Sequence, residues 1–291
     1  MSKDERAIEP GYYSDGIDPG DAERLVLRFP AGDLLVVPCE GEVIRLELSL
    51  KGPSDSLPNW SLSVRRSEGI LVLADQGSEV VAAEARIYVP ALFRDIEAHT
   101  VSGNLEIHGI AADLLACTSS GEIRIIGGTT VEVTSDSGKI EVEQSGNVTA
   151  KVGGGTLRCR DISGTVIAET SSGDIGVESV AGNVVVTSTS GDISVLKPGG
   201  RLRISSSSGD IELELAGRFA GGEVSTSTGD ISLALSGSDL ELRAETLSGE
   251  LDAPGADVVS TTGPRRCALK LGAGGRRLHV RSVSGDIEID D

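Results

Sequence analysis

The sequence has very few aromatic side chains and a shortage of basic ones. Aromatic residues make up only 2% of the 291 residues, and 26 Lys and Arg stand against 45 Asp and Glu, a formal net charge of −19. Such a chain is poorly suited to bind nucleic acid, because affinity for the phosphate backbone comes from basic side chains. The hydrophobic content of 38% can still fill a core, but only one of small and branched aliphatic side chains. These features favour a repetitive β architecture.

Long apolar runs, histidine and closely spaced cysteine are also scarce. No stretch approaches the roughly 18 apolar residues that span a bilayer, and no apolar run follows the first six residues. We therefore expect no transmembrane segment and a cytoplasmic protein. The cysteines lie too far apart for a zinc site, so we expect reduced thiols, no metal centre and no cofactor. The residues concerned are Cys39, Cys117, Cys159, Cys267, His99, His108 and His279.

A Ser-Gly-Asp-Ile-x-Val motif recurs through the C-terminal two thirds of the sequence. Its glycines are separated by 18, 17, 17, 18, 18, 18, 20 and 20 residues, and a last one follows 36 residues further on. Each repeat contains two short segments of alternating apolar and polar residues, which is typical of β-strands. Glycine at the corner permits the positive φ that a tight turn needs. The repeat glycines are Gly103, Gly121, Gly138, Gly155, Gly173, Gly191, Gly209, Gly229, Gly249 and Gly285.

Stacking explains how such short strands could be stable. No strand pair can bury its apolar face alone, whereas successive repeats bury one another. The sequence predicts an all-β fold: a single-chain parallel β-helix, or β-solenoid, of about ten coils of 17–20 residues, with right-handed winding favoured. Ile175, Ile193, Ile211 and Ile231 should stack in its core. A propeller blade is about twice this period and a calcium-binding nonapeptide repeat half of it, and the sub-repeat of a left-handed hexapeptide helix is not evident.

The sequence divides into three predicted segments. Residues 1–20 are polar and predict a flexible tail. Residues 21–95 contain irregularly spaced strand patterns and predict an N-terminal β cap, since solenoids need their ends shielded. Residues 96–291 hold the solenoid repeats. Six of the seven aromatic residues lie before residue 95, leaving only Phe219 in the repeats. A wide cap core explains this cluster best, and a ligand platform is the alternative.

One stretch of the sequence resembles a known family. Ala85-Arg-Ile-Tyr-Val-Pro90, then Ile96–Val101 and the first Ser-Gly repeat, is similar to the bacterial DUF4097 family, whose members are often regarded as candidate adhesins. The resemblance covers about residues 22–291. It implies a β-helix fold with no known catalytic residues to carry over, and the adhesin description implies a cell-surface location.

An aspartate ladder is the best candidate site. Asp174, Asp192, Asp210 and Asp230 share one repeat position, as does Asp286, so the first four should stack along one edge of the solenoid. Like charges so close repel, and a cation such as calcium could bridge them. The simpler interpretation is that each aspartate accepts a hydrogen bond at its turn. We favour the turn, because other residue types replace Asp elsewhere, and we predict no metal or catalytic residue.

Three functions remain in view. We favour a non-enzymatic scaffold or interaction protein with an unknown protein partner, present as a monomer or a lateral dimer. A β-helix that binds or cleaves carbohydrate is the first alternative, although its sites usually need aromatic platforms. A self-assembling cytoskeletal solenoid is the second. The acidic last strand argues against assembly through the edge.

One basic stretch departs from the overall acidity. Residues 265–281 contain six Lys and Arg and no acid. An anionic partner or a membrane surface is one interpretation. We favour an internal role, because acidic segments lie on both sides in the sequence, and opposite charges on adjacent strands attract. The sequence therefore predicts a basic coil stacked between two acidic ones.

Overall fold

The computed structural model describes residues 12–54, 56–57, 60–76, 81–216, 219–236, 239–254, 257–259, 265–271 and 275–290. Within these ranges the fold is all-β, as predicted. The same ranges hold no helix that is long and apolar enough to span a bilayer. The chain divides into two compact units, residues 1–136 and 137–291.

Unit 1 contains β1 to β11 and the first half of β12, which continues past the division at residue 136. Its regular strands alternate buried and exposed residues, because every second side chain points to the same face. The strands are β1 Tyr12–Ile17, β2 Arg24–Arg28, β3 Asp33–Cys39, β4 Ile44–Lys51, β5 Ser63–Ser67, β6 Ile70–Ala74, β7 Val81–Pro90, β8 Asp95–His99, β9 Leu105–Ile110, β10 Asp113–Ser120, β11 Ile123–Gly127 and β12 Thr130–Glu143.

The strands of unit 1 do not stack in sequence order. β2 pairs in parallel with β8 on one side and β6 on the other, and β3 lies likewise between β9 and β7. The first regular coil, β2 with β3, is therefore enclosed on both edges. Antiparallel strands follow outside it, with β5 on β6, β4 on β7 and β1 on β4.

Strand β1 lies within the segment 1–20 that the sequence predicts as a flexible tail. Alternation places Tyr13 and Ile17 opposite Leu48 and Ile44 of β4, and Ile17 is buried. Two apolar side chains on one face of a six-residue segment are too weak a sequence signal to predict a strand, yet they suffice where an edge strand is available for pairing. Residues 1–11 lie outside the described residues, so the rest of that prediction stays open.

Unit 2 contains the most regular repeats and the C-terminal strands. These are β13 Asn147–Ile162, β14 Val166–Val180, β15 Val184–Ser190, β16 Ile193–Pro198, β17 Leu202–Ser208, β18 Ile211–Ala216, β19 Gly222–Thr228, β20 Ile231–Ser236, β21 Leu240–Thr246, β22 Leu251–Asp252, β23 Asp257–Val259, β24 Arg265–Leu271, β25 Arg276–Ser284 and β26 Ile287–Asp290.

The regular strands of unit 2 form parallel ladders with the predicted register. Ile175 faces Ile193, Ile193 faces Ile211 and Ile211 faces Ile231, and all four side chains are buried. A second ladder joins β14, β15, β17 and β19 in the same way. The solenoid-like stacking of aliphatic side chains is thus confirmed, and it accounts for the scarcity of rings in this core.

The C-terminal end of unit 2 departs from the prediction. β25 lies between β19 and β21, and β26 between β20 and β22, so the last coil of the chain stands one layer inside. The described residues 257–259 and 265–271 add no parallel layer to the stack. Instead β24 pairs antiparallel with β21 and β23 pairs antiparallel with β24. The repeat motif determines the shape of a coil but not which coil stacks against it. The prediction that coils stack in sequence order was therefore wrong for these strands.

The repeat glycines pack backbone on backbone at one corner of each coil. A Cβ atom at Gly191 would lie 2.3 Å from the carbonyl oxygen of Gly173, and φ of Gly191 is 113°. Both conditions exclude a side chain, because the space is occupied and the backbone is left-handed. This close approach is what allows the coils to stack directly at that corner.

Candidate functional site

A groove runs across the outward face of β13, β14, β16 and β18 in unit 2. One row of outward side chains crosses it from Arg158 through Gly176 and Ser194 to Glu212, each on the next strand. Its volume is about 630 Å³. Gly176 lacks a side chain, so the row has a gap between longer neighbours. The groove therefore results from a small residue within an otherwise regular sheet.

Charged pairs border the groove on its β13 side. Arg160 Nε lies 3.0 Å from Glu178 Oε2, and Arg158 Nη1 lies 3.9 Å from Glu141 Oε1. The arginine of each pair is exposed, so these ion pairs add little to stability. The pairs do hold the guanidinium groups of Arg158 and Arg160 along the β13 border of the groove, while Glu212 lies on the β18 border. The groove thus presents opposite charges at fixed positions.

The predicted aspartate ladder exists and lies beside this groove. Oδ1 of Asp174 accepts a hydrogen bond from the backbone N–H of Asp192 at 3.1 Å, and Asp192 and Asp210 repeat the contact to the following coils at 3.0 and 2.8 Å. Asp230 continues it to Asp286, also at 2.8 Å. Each carboxylate therefore supports the turn of the next coil in space.

This geometry bears on the proposed cation. Asp174, Asp192, Asp210 and Asp230 each use one carboxylate oxygen on a backbone donor. Across the described ranges, no three His, Cys, Asp or Glu side chains cluster in a way that could hold a metal ion. The favoured hydrogen-bonding interpretation accounts for Oδ1 of each aspartate, and bridging by a cation such as calcium stays the untested alternative.

Asparagine performs the same task at positions that the sequence analysis did not single out. Oδ1 of Asn104 accepts a hydrogen bond from the backbone N–H of Glu122 at 3.0 Å. Asp33 makes the same contact one coil earlier, where its Oδ1 accepts from the backbone N–H of Asn104 at 2.8 Å. The signal was present as Ala31-Gly-Asp-Leu34, a repeat motif with Ala in place of Ser. That motif places a regular coil inside the segment 21–95 predicted to be irregular.

The basic stretch forms two strands, and both pair with the same acidic strand. β24 and β25 flank β21, so the acidic strand lies between basic ones, the reverse of the predicted order. Arg266 Nη2 lies 3.2 Å from Glu245 Oε1, and Arg277 Nε lies 3.2 Å from Glu241 Oε2. The predicted pairing of opposite charges on adjacent strands is confirmed for these residues. The layer order was wrong because the last coil is inserted.

The cysteine side chains are not activated for chemistry. All four are free thiols, and burial raises the pKa of each above its usual value, that of Cys159 to about 12. A nucleophilic cysteine needs the opposite shift, since the thiolate is the reactive form. Two histidine rings lie against glutamates of their own strands, His99 beside Glu97 and His108 beside Glu106.

The aromatic residues of unit 1 close its core. Trp60 meets Tyr13 edge to face with ring centroids 5.4 Å apart, and its Nε1 donates to Asp75 Oδ1 at 3.2 Å. Phe29 and Phe93 are buried. Partly covered and bonded rings are less available as a ligand platform than free ones. In unit 2, Phe219 is fully buried as well.

Comparison with known proteins identifies one family by sequence and several solved structures of low sequence identity. The Toastrack DUF4097 family matches residues 50–290. No curated protein matches the chain. A solved structure described as a candidate lipid-binding protein from Parabacteroides distasonis is similar with a TM-score of 0.52 and 15% identity, covering 77% of this chain and 96% of the other. A candidate adhesin from Bacteroides fragilis gives a TM-score of 0.39 and 13% identity over 96% of each chain.

The family match extends over most of the sequence and includes the repeats whose corners, ladders and register are described above. The Parabacteroides structure adds evidence for the fold alone, because its sequence identity is low. The chain therefore belongs to the Toastrack DUF4097 family.

Proposed function

We propose that the chain is a non-enzymatic β-solenoid that serves as a rigid interaction scaffold for a protein partner. The observation that carries this proposal is the register of the outward faces. Gly176, Ser194, Glu212 and Ser232 lie on successive strands as direct neighbours. Backbone ladders fix their spacing at about 4.8 Å, so the surface presents side chains in a set order without having to become ordered on binding.

The finer features of the scaffold belong to the same proposal. They are right-handed winding, about ten coils, an N-terminal β cap, and a monomer or lateral dimer. An adhesin-like role is one form of this function. The cytoplasmic location expected from the N-terminal sequence remains a prediction.

The raised thiol pKa values support a role without catalysis, because at neutral pH they keep the cysteines in their unreactive form. The carbohydrate alternative has less support. Phe219 is the single aromatic residue of the repeats, and its burial withholds it from stacking on a sugar ring.

The test compares the wild type with Gly176→Arg, which fills the groove, and with Gly176→Ala as the matched control. A Cβ at Gly176 meets only Arg158 Cγ, at 3.7 Å, so alanine fits without strain. Each immobilised protein is exposed to extract of the source cells and to a glycan array, and bound proteins are identified by mass spectrometry. We expect an identified protein that the wild type and Gly176→Ala retain and Gly176→Arg loses. Identical binding by all three, or turnover of a bound glycan, would contradict the proposal.

A further inference from the structure

The outward face of β19, β25, β21 and β24 differs in charge from the rest of this acidic protein. Five basic side chains point outward on these strands against three glutamates, namely Arg243, Arg266, Lys270, Arg277 and Arg281 against Glu223, Glu241 and Glu245. On the opposite strands β18, β20, β26 and β22, the described outward charges are acidic, from Glu212 and Glu214 to Glu288 and Asp290. Among these C-terminal strands of unit 2, positive charge is thus concentrated on one face.

A depression lies within this basic face. Small side chains make it: Ala268 stands next to Arg243 on the neighbouring strand, and Ser225 stands next to Arg281. Its volume is about 940 Å³, which is within the range of small-ligand sites. We call it the basic depression and define it by Arg243, Arg266, His279 and Arg281; Glu223 and Glu245 also line it, and Glu245 is paired with Arg266.

Ion pairs fix some of the guanidinium groups and leave others for a ligand. Arg266 is held by Glu245, and Arg243 Nη2 lies 3.2 Å from Glu241 Oε1. Arg281 and His279 make no ion pair or side-chain hydrogen bond within the described part of the chain, and both are exposed. His279 is the direct neighbour of Arg243, and Arg281 the neighbour of Glu245. Donors from three strands therefore surround one concave area.

From this arrangement we infer that the basic depression binds a phosphate group, with Arg281 as its principal ligand and Arg243, which Glu241 holds through Nη2, as a secondary donor. Guanidinium groups present paired N–H donors that match the oxygens of a tetrahedral phosphate. Only part of the basic charge is used up internally, and the acidity of the remaining surface directs anions to this face. The phosphate could belong to a soluble ester or to a lipid headgroup, which share this chemistry. The site lies apart from the groove of the proposed function and goes beyond it.

The experiment measures binding of inorganic pyrophosphate by calorimetry and of vesicles by co-sedimentation. The vesicles contain equal parts of phosphatidylcholine and phosphatidic acid, with phosphatidylcholine alone as the reference. The variants are Arg281→Gln and the double change Arg243→Gln with Arg281→Gln. Arg86→Gln is the matched control, since it removes one exposed, ion-paired arginine that lies in unit 1, outside both proposed sites. Circular dichroism checks that each variant is folded.

We expect the wild type to bind, Arg281→Gln to weaken binding at least about tenfold, the double change to weaken it further, and Arg86→Gln to bind as the wild type does. Binding of pyrophosphate identifies a soluble ligand, and binding confined to the phosphatidic acid vesicles identifies a lipid headgroup. The inference is overturned if the wild type binds neither probe, or if the folded double variant binds as tightly as the wild type. Either result leaves the proposed function untouched, because that proposal is tested separately with the Gly176 variants.

Discussion

The first regular coil of the chain, β2 with β3, and the last, β25 with β26, are placed alike but enclosed differently. Each lies one layer inside its unit and continues the ladder of side-chain hydrogen bonds, through Asp33 in unit 1 and Asp286 in unit 2. In unit 1 the layers outside are closed by apolar and aromatic contacts such as Trp60 on Tyr13. In unit 2 they are joined by ion pairs such as Arg266 with Glu245.

This difference shows which property the fold requires and which it leaves free. Both coils have each of their parallel edges covered, so neither offers unpaired backbone groups to another chain. The outward contacts differ in kind: rings cover the outer layers of unit 1, whereas β21 of unit 2 buries Leu240 and Leu242 and carries ion pairs on its outward face.

Removal of β25 and β26 should have the largest effect. Truncation after Gly275 takes away Leu278, Val280, Ile287 and Ile289, all buried, and opens a gap within unit 2. At about 1.5–3 kcal/mol for each buried side chain, the loss is roughly 6–12 kcal/mol, comparable to the whole stability of a domain. We expect lost cooperativity in thermal melts and aggregation. A truncated protein that only frays slightly would show that the last coil is terminal.

Replacement of a core residue should come next. Ile193→Asp places an unpaired charge in the aliphatic ladder and should cost about 3 kcal/mol or more. The adjacent Ser194 points outward, with its hydroxyl 3.4 Å from Glu212, so Ser194→Asp should cost much less, with only like-charge repulsion added. Urea unfolding measures both. Equal losses would contradict the register of β16.

The aromatic closure of unit 1 should respond to truncation but not to salt. Trp60→Ala removes the ring contact with Tyr13 and the hydrogen bond to Asp75, and we expect a loss of about 2–4 kcal/mol. Because the lost contacts are mainly apolar, the loss should be similar at low and high ionic strength. A loss that disappears in salt would remove the contrast between the two units.

The charged closure of unit 2 should behave in the opposite way. Arg266→Gln breaks an exposed ion pair worth about 0.2–1 kcal/mol, and the loss should shrink as salt is added. Arg277→Gln adds a dependence on pH. Hydrogen bonds from Arg277, and secondarily Arg243, hold the pKa of Glu241 below its usual value against the opposing effect of desolvation.

The direction of that pH dependence follows from the lowered pKa. A carboxyl whose pKa is lower in the folded than in the unfolded state stabilises the fold above the unfolded value of about 4.3, and the contribution is lost as pH falls through the folded value. The stability difference between the wild type and Arg277→Gln should therefore be greatest near neutral pH and vanish in acid. A difference that grows toward low pH would contradict the pairing of Glu241.

The smallest expected effect concerns the second corner of each coil. Gly109 and Gly127 hold it in unit 1, whereas unit 2 places Ser179 and Lys197 there with φ of 57° and 54°. A left-handed backbone is strained for residues with a side chain, so Ser179→Gly should be neutral or stabilise by up to about 1 kcal/mol. The reverse change, Gly127→Ala, should destabilise. Destabilisation by Ser179→Gly together with stabilisation by Gly127→Ala in urea unfolding would refute this account of the corner.

The sequence predicted local geometry better than the arrangement of the layers. Alternation correctly placed Ile193 inward and Ser194 outward, and the shared position of Asp192 and Asp210 correctly indicated a ladder. These features depend on contacts between equivalent positions of a repeat, which a period can reveal. The cap prediction for residues 21–95 missed the regular coil at Asp33, because Ala31 replaces the motif serine.

The insertion of the last coil could not be predicted from the repeat. The edges of β19 and β20 can accept any coil with an apolar inner face and a glycine corner, and β21 and β25 both belong to such coils. Whether β21 or β25 pairs with β19 depends on the stability of the whole arrangement of layers. In the observed arrangement, Glu241 and Glu245 form ion pairs with the strands on both sides of β21. A motif read one repeat at a time contains no information on that arrangement.

Disulfide trapping tests the central claim, that the last coil is enclosed, most directly. Glu223 and His279 are direct neighbours on β19 and β25, whereas Glu223 and Arg243 are separated by the inserted strand. In a background with the native cysteines changed to Ala, the account predicts that Glu223→Cys with His279→Cys oxidises to an intramolecular disulfide, found by peptide mass mapping. Glu223→Cys with Arg243→Cys should stay reduced, since two strand spacings of about 4.8 Å exceed the reach of a disulfide. Bond formation in the second pair and not in the first would show that the coils stack in sequence order.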